Sequence, residues 1–247
     1  MNKSDFLKQS LSEKQFMNET SIFYITKHNR RLYDTYNFIV DHLKHIPNPR
    51  ILSVGGYYAS LEKVLKEEIN AEITVIDFPD TIDMLKPYYD HLGFRYIGVD
   101  LSLGLEGVEE NYYDLIVYTE VIEHISKSPY DQLVPFDKLL KPSGKIIVTT
   151  PNLLSIVHIM KLVMGFPHYA DPELYFAPVS QETLQIHRRE YIPKEITAAF
   201  DKMSYKSYLK YFIYNEPKSF QYRIMYIIGQ MIPKYREGMM IVGEKPA

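Results

Sequence analysis

Short apolar runs alternate with amphipathic stretches through the middle of the chain. "RILSVGG", "AEITVIDF", "FRYIGVDL" and "YYDLIVYT" each read as a buried strand, and "KPSGKIIVTTPN" as a turn followed by a fifth strand. Between them, "ASLEKVLKEEI" and "DTIDMLKPYYDHL" space their apolar side chains as helices do, with Pro87 shaping the latter part of the second. A further helix is expected after the fourth strand. Residues 1–46 are helical in pattern, most clearly in "RRLYDTYNFIVDHLKHI", and "IPNP" at 46–49 ends that region. Strands alternating with helices predict an α/β fold, a mostly parallel sheet with helices on both faces.

The rhythm changes after Asn152. Residues 153–192 hold a long irregular stretch with Pro167, Pro172 and Pro178 and many aromatics. It reads equally well as a surface excursion packed on the core and as a lid over a substrate. "PKEITAAFDKM" then restores a helix, "YKSYLKYFIY" a strand, "KSFQYRIMYIIGQMI" a helix and "GMMIVGEKP" a last strand.

Composition narrows the partners. A hydrophobic share of 46% over 247 residues is ample for one core. The net charge of −3 provides no global basic field to recruit nucleic acid or an anionic membrane. Absent cysteine removes disulfides and thiolate metal sites. The N-terminus lacks the apolar core of a signal peptide, and the longest apolar region, "LLSIVHIMKLVMGF", is interrupted by His158 and Lys161 and too short to span a bilayer. A soluble cytoplasmic protein of unknown oligomeric state is the expectation.

In open parallel sheets, ligands bind beyond the carboxyl ends of the strands. The first strand ends at Gly55-Gly56, where a backbone can approach a ligand closely. The second ends at Asp77, 22 residues beyond Gly55, about where an acid meets a ribose in nucleotide-binding α/β folds. The third ends at Asp100 and the fourth at Glu120. Taken singly, Asp100 reads equally as a cap and Asp77 as a helix start.

The series "ILSVGG", "VIDF", "GVDL", "YDLIVYTEVIEHI", "LLKPSGKIIVTTPN" and "MMIVGEKP" resembles a class I S-adenosylmethionine-dependent methyltransferase over roughly residues 50–247. "EVIEH" and "LKPSGKIIVTTPN" are its most specific parts, similar to the subgroup of ubiquinone-biosynthesis O-methyltransferases and small-RNA 3′-terminal ribose methyltransferases. The resemblance implies a Rossmann-like seven-stranded sheet whose last strand runs antiparallel. One domain over 1–247 would then comprise a helical cap (1–46), a cofactor-binding half (50–150), a lid (153–192) and a C-terminal helix-strand-helix-strand (193–247). It also implies that Gly55 and Gly56 lie against the methionine part of the cofactor with Tyr57 beside them. Asp77 would bind the ribose hydroxyls and Phe78 would line the adenine. Asp100 and Leu101 would sit at the adenine edge, and Tyr118 and Thr119 near the sulfonium. The chain departs from the family's Asp-Val-Gly-Cys-Gly-x-Gly pattern, reading Ser53-Val54-Gly55-Gly56-Tyr57-Tyr58-Ala59. The initial acid and two later glycines are gone, so Tyr57 either packs over the cofactor or occludes its site.

On a helix, Glu120, Glu123 and His124 would share one face. The plain reading is an acidic helix N-terminus held to the sheet by Ile122 and Ile125, with His124 as packing. The sharper one is a hard divalent cation, since two carboxylates and an imidazole suit Mg²⁺, Mn²⁺ or Fe²⁺. In the ribose methyltransferases a histidine in a similar setting completes such a site, which maps onto Glu120, Glu123, His124 and His187 here; His158 and His168 are the reserve ligands. Without metal, His124 or His187 would act as general base, and Glu120 belongs to the same catalytic group.

A hydroxylated small molecule or sugar is favoured over RNA, because "HRRE" and scattered lysines make a thin phosphate-binding surface. Ile156, Ile159, Met160, Val163, Met164, Phe166, Tyr169, Tyr175 and Phe176 of the lid offer apolar pocket walls. The expected activity is O-methyl transfer. The rivals are a metal-free N- or C-methyltransferase, an RNA ribose methyltransferase, and a cofactor-binding protein without catalysis.

Overall fold

The computed structural model describes residues 1–166, 186–212 and 220–247, the side chains of 220–222 excepted. The middle of the expected lid, 167–185, including Tyr169, Tyr175 and Phe176, lies outside the described residues.

Seven strands form one sheet: β1 (Arg50–Val54), β2 (Glu72–Asp77), β3 (Arg95–Gly98), β4 (Tyr113–Thr119), β5 (Leu140–Pro151), β6 (Lys206–Phe212) and β7 (Gly238–Glu244). Their order is β3-β2-β1-β4-β5-β7-β6, with β1, β2 and β3 parallel and β7 antiparallel to β6. The expected Rossmann-like sheet with an antiparallel last strand is therefore observed. Strand order reverses between β1 and β4, and Gly55, Asp77 and Thr119 stand at the carboxyl ends of β1, β2 and β4.

The helices are α1 (Lys3–Ser10), α2 (Glu19–Lys27), α3 (Asn29–Leu43), α4 (Ser60–Ile69), α5 (Pro79–Leu92), α6 (Pro129–Leu133), α7 (Ile156–Val163), α8 (Pro193–Lys202) and α9 (Phe220–Met231). The chain packs as two compact units. The first comprises 1–117, 135–146 and 245–247, the second 118–134 and 147–244.

In the first unit, β1 and β2 bury both faces, as their unbroken apolar runs require. Tyr36, Ile39 and Leu43 of α3 join Leu61, Val64 and Leu65 of α4 in the core. The buried Lys63 ammonium donates to the Gln9 carbonyl at 2.9 Å, tying α4 to α1. Ser53 stands in β1 where the family pattern has its acid. Its hydroxyl donates to Glu62 Oε1 of α4 at 2.7 Å, so a carboxylate reaches this place from the helix instead. Burial raises the pKa of Glu62 more than the Ser53 hydrogen bond lowers it.

In the second unit, Met239, Met240, Ile241 and Val242 of β7 are buried, and α8 lays Phe200 over the strand. A Cβ on Gly243 would overlap the Phe200 ring, which is why glycine sits there. β6, at the sheet's edge, is mostly exposed.

Two predictions follow from this packing. Gly243→Ala should destabilise the protein by about 1–3 kcal/mol in a denaturant titration, because the ring has to leave its place. For Glu62, the folded state binds its proton more tightly than the unfolded state, so the ionised carboxylate costs stability as pH climbs above the ordinary glutamate pKa. Glu62→Gln, which keeps an acceptor for Ser53, should melt higher than wild type at pH 8, with the gap closing near pH 4.

Candidate active site

The segment after β4 does not continue as an α-helix. Residues Ile122–His124 make a single 3₁₀ turn, and Glu120 lies outside it with φ 55°. The expectation of one helical face for Glu120, Glu123 and His124 is corrected here. The Glu120 N–H donates to the Thr149 carbonyl at 2.8 Å, which keeps the backbone along the sheet. The next helix, α6, starts only at Pro129, where Ser128 caps it through the Asp131 N–H.

This turn still brings three of the four expected residues together. Ligand atoms of Glu123, His124 and His187 all lie within 4.8 Å of one another. His187 gets there through the Glu123 main chain, whose carbonyl accepts from the N–H groups of Arg188 (2.7 Å) and Arg189 (3.2 Å). Glu123 Oε1 stands 4.0 Å from both His124 Nε2 and His187 Nε2.

Glu120 is not in this trio but stands near enough to act on the charges of Glu123 and His187. Thr149 Oγ1 donates to Glu120 Oε1 and Thr150 Oγ1 to Glu123 Oε2, both at 2.9 Å, so each carboxylate is held by its own threonine. Of the reserve histidines, His158 lies 3.0 Å from Glu190 Oε2 and 3.1 Å from the Asn152 carbonyl, outside the cluster. His168 lies outside the described residues.

Each imidazole has its Nδ1 engaged and its Nε2 turned to Glu123. His124 Nδ1 is 3.2 Å from the Ile186 carbonyl, and His187 Nδ1 is 3.0 Å from Glu190 Oε1. A proton fixed on Nδ1 makes Nε2 the nitrogen that carries the lone pair, the arrangement found behind metal-ligating histidines. The other oxygen, Glu123 Oε1, is buried and has no hydrogen-bond partner among the described residues.

The charges respond accordingly. Burial, then the nearby Glu120, push the Glu123 carboxyl well above its ordinary range. Burial, then His187, lower His124 to about 4, so it is neutral at pH 7. Burial pulls His187 down too, but the Glu190 hydrogen bond and the surrounding carboxylates win and raise it. Burial pushes Glu190 up, yet the hydrogen bonds to His158 and His187 outweigh it and hold the carboxyl at about 2.

The other strand ends form a second group of residues. Gly55 has φ 68°, and Tyr57 (φ 44°) and Ala59 (φ 43°) stay in the left-handed region where the family pattern has glycine. Gly56 is fixed by packing, since a Cβ there would come within 2.8 Å of Ser53 Oγ and 3.1 Å of Val75. Asp77 accepts from the Tyr57 N–H (3.2 Å) through Oδ2 and from the Phe78 N–H (2.8 Å) through Oδ1. Burial raises its pKa against these bonds. Tyr57 and Phe78, whose main-chain N–H groups this carboxylate accepts, are 42% and 41% exposed. A carboxylate with spare lone pairs near two exposed aromatic residues can take a diol attached to a planar base.

The remaining expected residues are less open. Asp100 spends one oxygen on the Ser102 N–H at 2.8 Å, closing a local turn, and Leu101 follows in it half-buried. Tyr118 is buried with its hydroxyl on Gln132 Oε1 at 2.6 Å, so only its main chain is available at the strand end. Thr119 is half-buried. Of the lid's apolar residues, Val163, Met164 and Phe166 are exposed and Ile156, Ile159 and Met160 half-buried along α7.

Glu62, Gln132, Thr149, Thr150 and Glu190 do not emerge from the sequence pattern. The polar pair Thr149-Thr150 closing an otherwise buried strand was the one available signal.

Comparison with known proteins gives this geometry a lineage. Residues 24–201 match the family described as "Methyltransferase domain". The hybrid PKS-NRPS synthetase thnA of Trichoderma harzianum is 26% identical over 129 residues, covering 47% of this chain and 3% of that one. A highly reducing polyketide synthase of Pyricularia oryzae is 28% identical over 142 residues, 51% of this chain and 5% of that one. The chain thus matches only a small fraction of the length of these relatives. The crystal structure of a SAM-dependent methyltransferase from Archaeoglobus fulgidus superposes with a TM-score of 0.57 at 14% identity, covering 90% of this chain and 99% of that one. The fold is that of this S-adenosylmethionine-dependent methyltransferase, and the chain belongs to the methyltransferase-domain family.

Proposed function

We propose that the protein transfers the methyl group of S-adenosylmethionine to a hydroxyl of a small metabolite or sugar, assisted by a divalent cation on Glu123, His124 and His187. The single observation behind the cation is Glu123 Oε1, a buried carboxylate oxygen that has no hydrogen-bond partner among the described residues and faces two imidazole Nε2 atoms. A buried carboxylate in that state is costly unless something positive meets it. A nitrogen-oxygen donor set suits Mg²⁺, Mn²⁺ or Fe²⁺, after a modest contraction of the three ligand atoms. Glu120, held through Oε1 by Thr149, has a second carboxylate oxygen with which it could join as a fourth ligand. This cluster also supports kinship with the ubiquinone-biosynthesis and ribose methyltransferase subgroup.

Asp77 fits the ribose diol, with Gly55, Gly56, Tyr57 and Phe78 around the rest of the cofactor. Asp100, Leu101, Tyr118 and Thr119 would contribute mainly main-chain surface. Bound S-adenosylmethionine supplies an electrophilic methyl carbon with a neutral thioether as leaving group. A bound cation lowers the pKa of an acceptor hydroxyl and fixes its direction. In this reading the chain's own part is to orient the acceptor, whose proton leaves to solvent, because a His187 Nε2 that holds the cation has no lone pair left to receive it. Vicinal hydroxyls suit such a site, and the relatives named as polyketide synthases favour a small-molecule acceptor over RNA.

One observation favours a second reading. The Glu190–His187 pair resembles the carboxylate-imidazole half of a catalytic triad, so His187 could act as general base without metal. Assay on a panel of catechols and sugar diols separates the two. Under the metal reading, excess chelator abolishes turnover and Mg²⁺ or Mn²⁺ restores it; full activity in chelator selects the metal-free base.

Metal binding requires an ionised Glu123 and neutral imidazoles, and the raised pKa values of Glu123 and His187 mean that protons compete. The upward shift in melting temperature caused by Mn²⁺ should therefore be larger at pH 8 than at pH 6. Glu190→Gln should weaken Mn²⁺ binding about 10–100-fold by calorimetry, as expected for the partner that orients a ligating histidine.

A further inference from the structure

Side chains that adopt left-handed backbone need a reason. Asn48, Asn70 and Asn111 do so, and asparagine tolerates the region. Ala59 does so with its methyl buried, so packing compensates it. Tyr57 has no such compensation: its ring is 42% exposed and meets only the edge of Tyr58 among the described aromatic rings, 4.7 Å between centroids. The backbone around it is nonetheless over-determined. The Tyr57 N–H binds Asp77 Oδ2, and its carbonyl accepts the hydroxyl of Tyr89, a tyrosine whose pKa burial raises. Glycine would satisfy every one of these main-chain bonds without the steric penalty, yet the chain places a large aromatic there.

We infer that Tyr57 is the aromatic wall of the nucleoside slot, and that its strained backbone is retained because the ring contacts the adenosyl group, not because the fold requires it. Strained residues persist where the surroundings hold them and a ligand uses them. The placement is specific, since the Tyr57 N–H and a ribose hydroxyl would address the same Asp77 carboxylate. The Tyr57 main chain therefore stands one hydrogen bond from the group that grips the sugar, and Phe78 is the next residue after Asp77. The inference rests on the reading that S-adenosylmethionine binds at Asp77, and its test keeps the two apart.

The experiment pairs calorimetry for S-adenosylmethionine, S-adenosylhomocysteine and 5′-methylthioadenosine with melting of the ligand-free protein, on wild type and three variants. Tyr57→Gly relieves the backbone and removes the ring. The free protein should melt about 2–4 °C higher, while affinity for all three ligands drops about tenfold. Tyr57→Ala keeps the left-handed strain and lacks the ring, so its affinity should fall equally without the gain in melting temperature. Tyr57→Phe should match wild type in both. The shared loss on 5′-methylthioadenosine, which lacks the amino-acid part, locates the contact at the nucleoside. If wild type binds the ligands and Tyr57→Gly and Tyr57→Ala bind equally well, the ring is not a wall and the inference is wrong. If Tyr57→Gly melts no higher than Tyr57→Ala, the strain is not there to be relieved, which also overturns it. If wild type binds none of the three, the cofactor reading itself falls and takes this inference with it.

Discussion

The second unit is organised around one residue that works through both its main chain and its side chain. The Glu123 carbonyl accepts two N–H groups from Arg188 and Arg189, and this docks a segment that has no regular structure of its own. The same residue points its carboxylate between two imidazoles, one of which, His187, arrives with the docked segment. Thr150 fixes one carboxylate oxygen and leaves the other turned inward. An acid buried this deeply is destabilising on its own. Its placement makes sense as a requirement for positive charge, whether from a cation or from a protonated His187.

The turn bearing Glu123 is itself braced from behind. The side-chain amide of Gln132 reaches the carbonyls of Ile122 (3.2 Å), Ile125 (3.3 Å) and Lys127 (2.9 Å), and its oxygen accepts from Tyr118. A short 3₁₀ turn has few internal bonds with which to hold a shape. Here one buried glutamine replaces the missing helix, and β4 is joined to it through the Tyr118 hydroxyl. That explains why Tyr118 faces the interior and offers only main chain at the strand end.

Much of this was legible beforehand and some was not. Strands that bury both faces leave an unbroken apolar signature, so β1, β2, β4 and β5 stand out, and the acids that close β2 and β4 follow by position. The trio of Glu123, His124 and His187 was readable from residue type and resemblance. Its geometry was not, because helical periodicity says nothing of a left-handed Glu120 or of a capping Ser128 that delays the next helix. Glu62 escaped notice because the acid it replaces is missing from β1, and the substitute comes from a helix nine positions on. Gly56 has a packing role that the sequence did not show, since a Cβ there would come within 2.8 Å of Ser53 Oγ. Local sequence encodes periodicity and caps well, but it does not encode which carbonyl a distant segment will choose.

The Glu123–Arg188 clasp also sets an order of events during synthesis. Glu123 and His124 leave the ribosome long before His187 and Glu190, because more than sixty positions intervene. Until the later pair emerges, the emerging chain presents one acid and one imidazole, too few donors to hold a cation firmly. Contacts between such distant positions form late, after the strands and helices nearer in sequence have found one another. The cluster is thereby completed only after strands β1 to β5 have all been made.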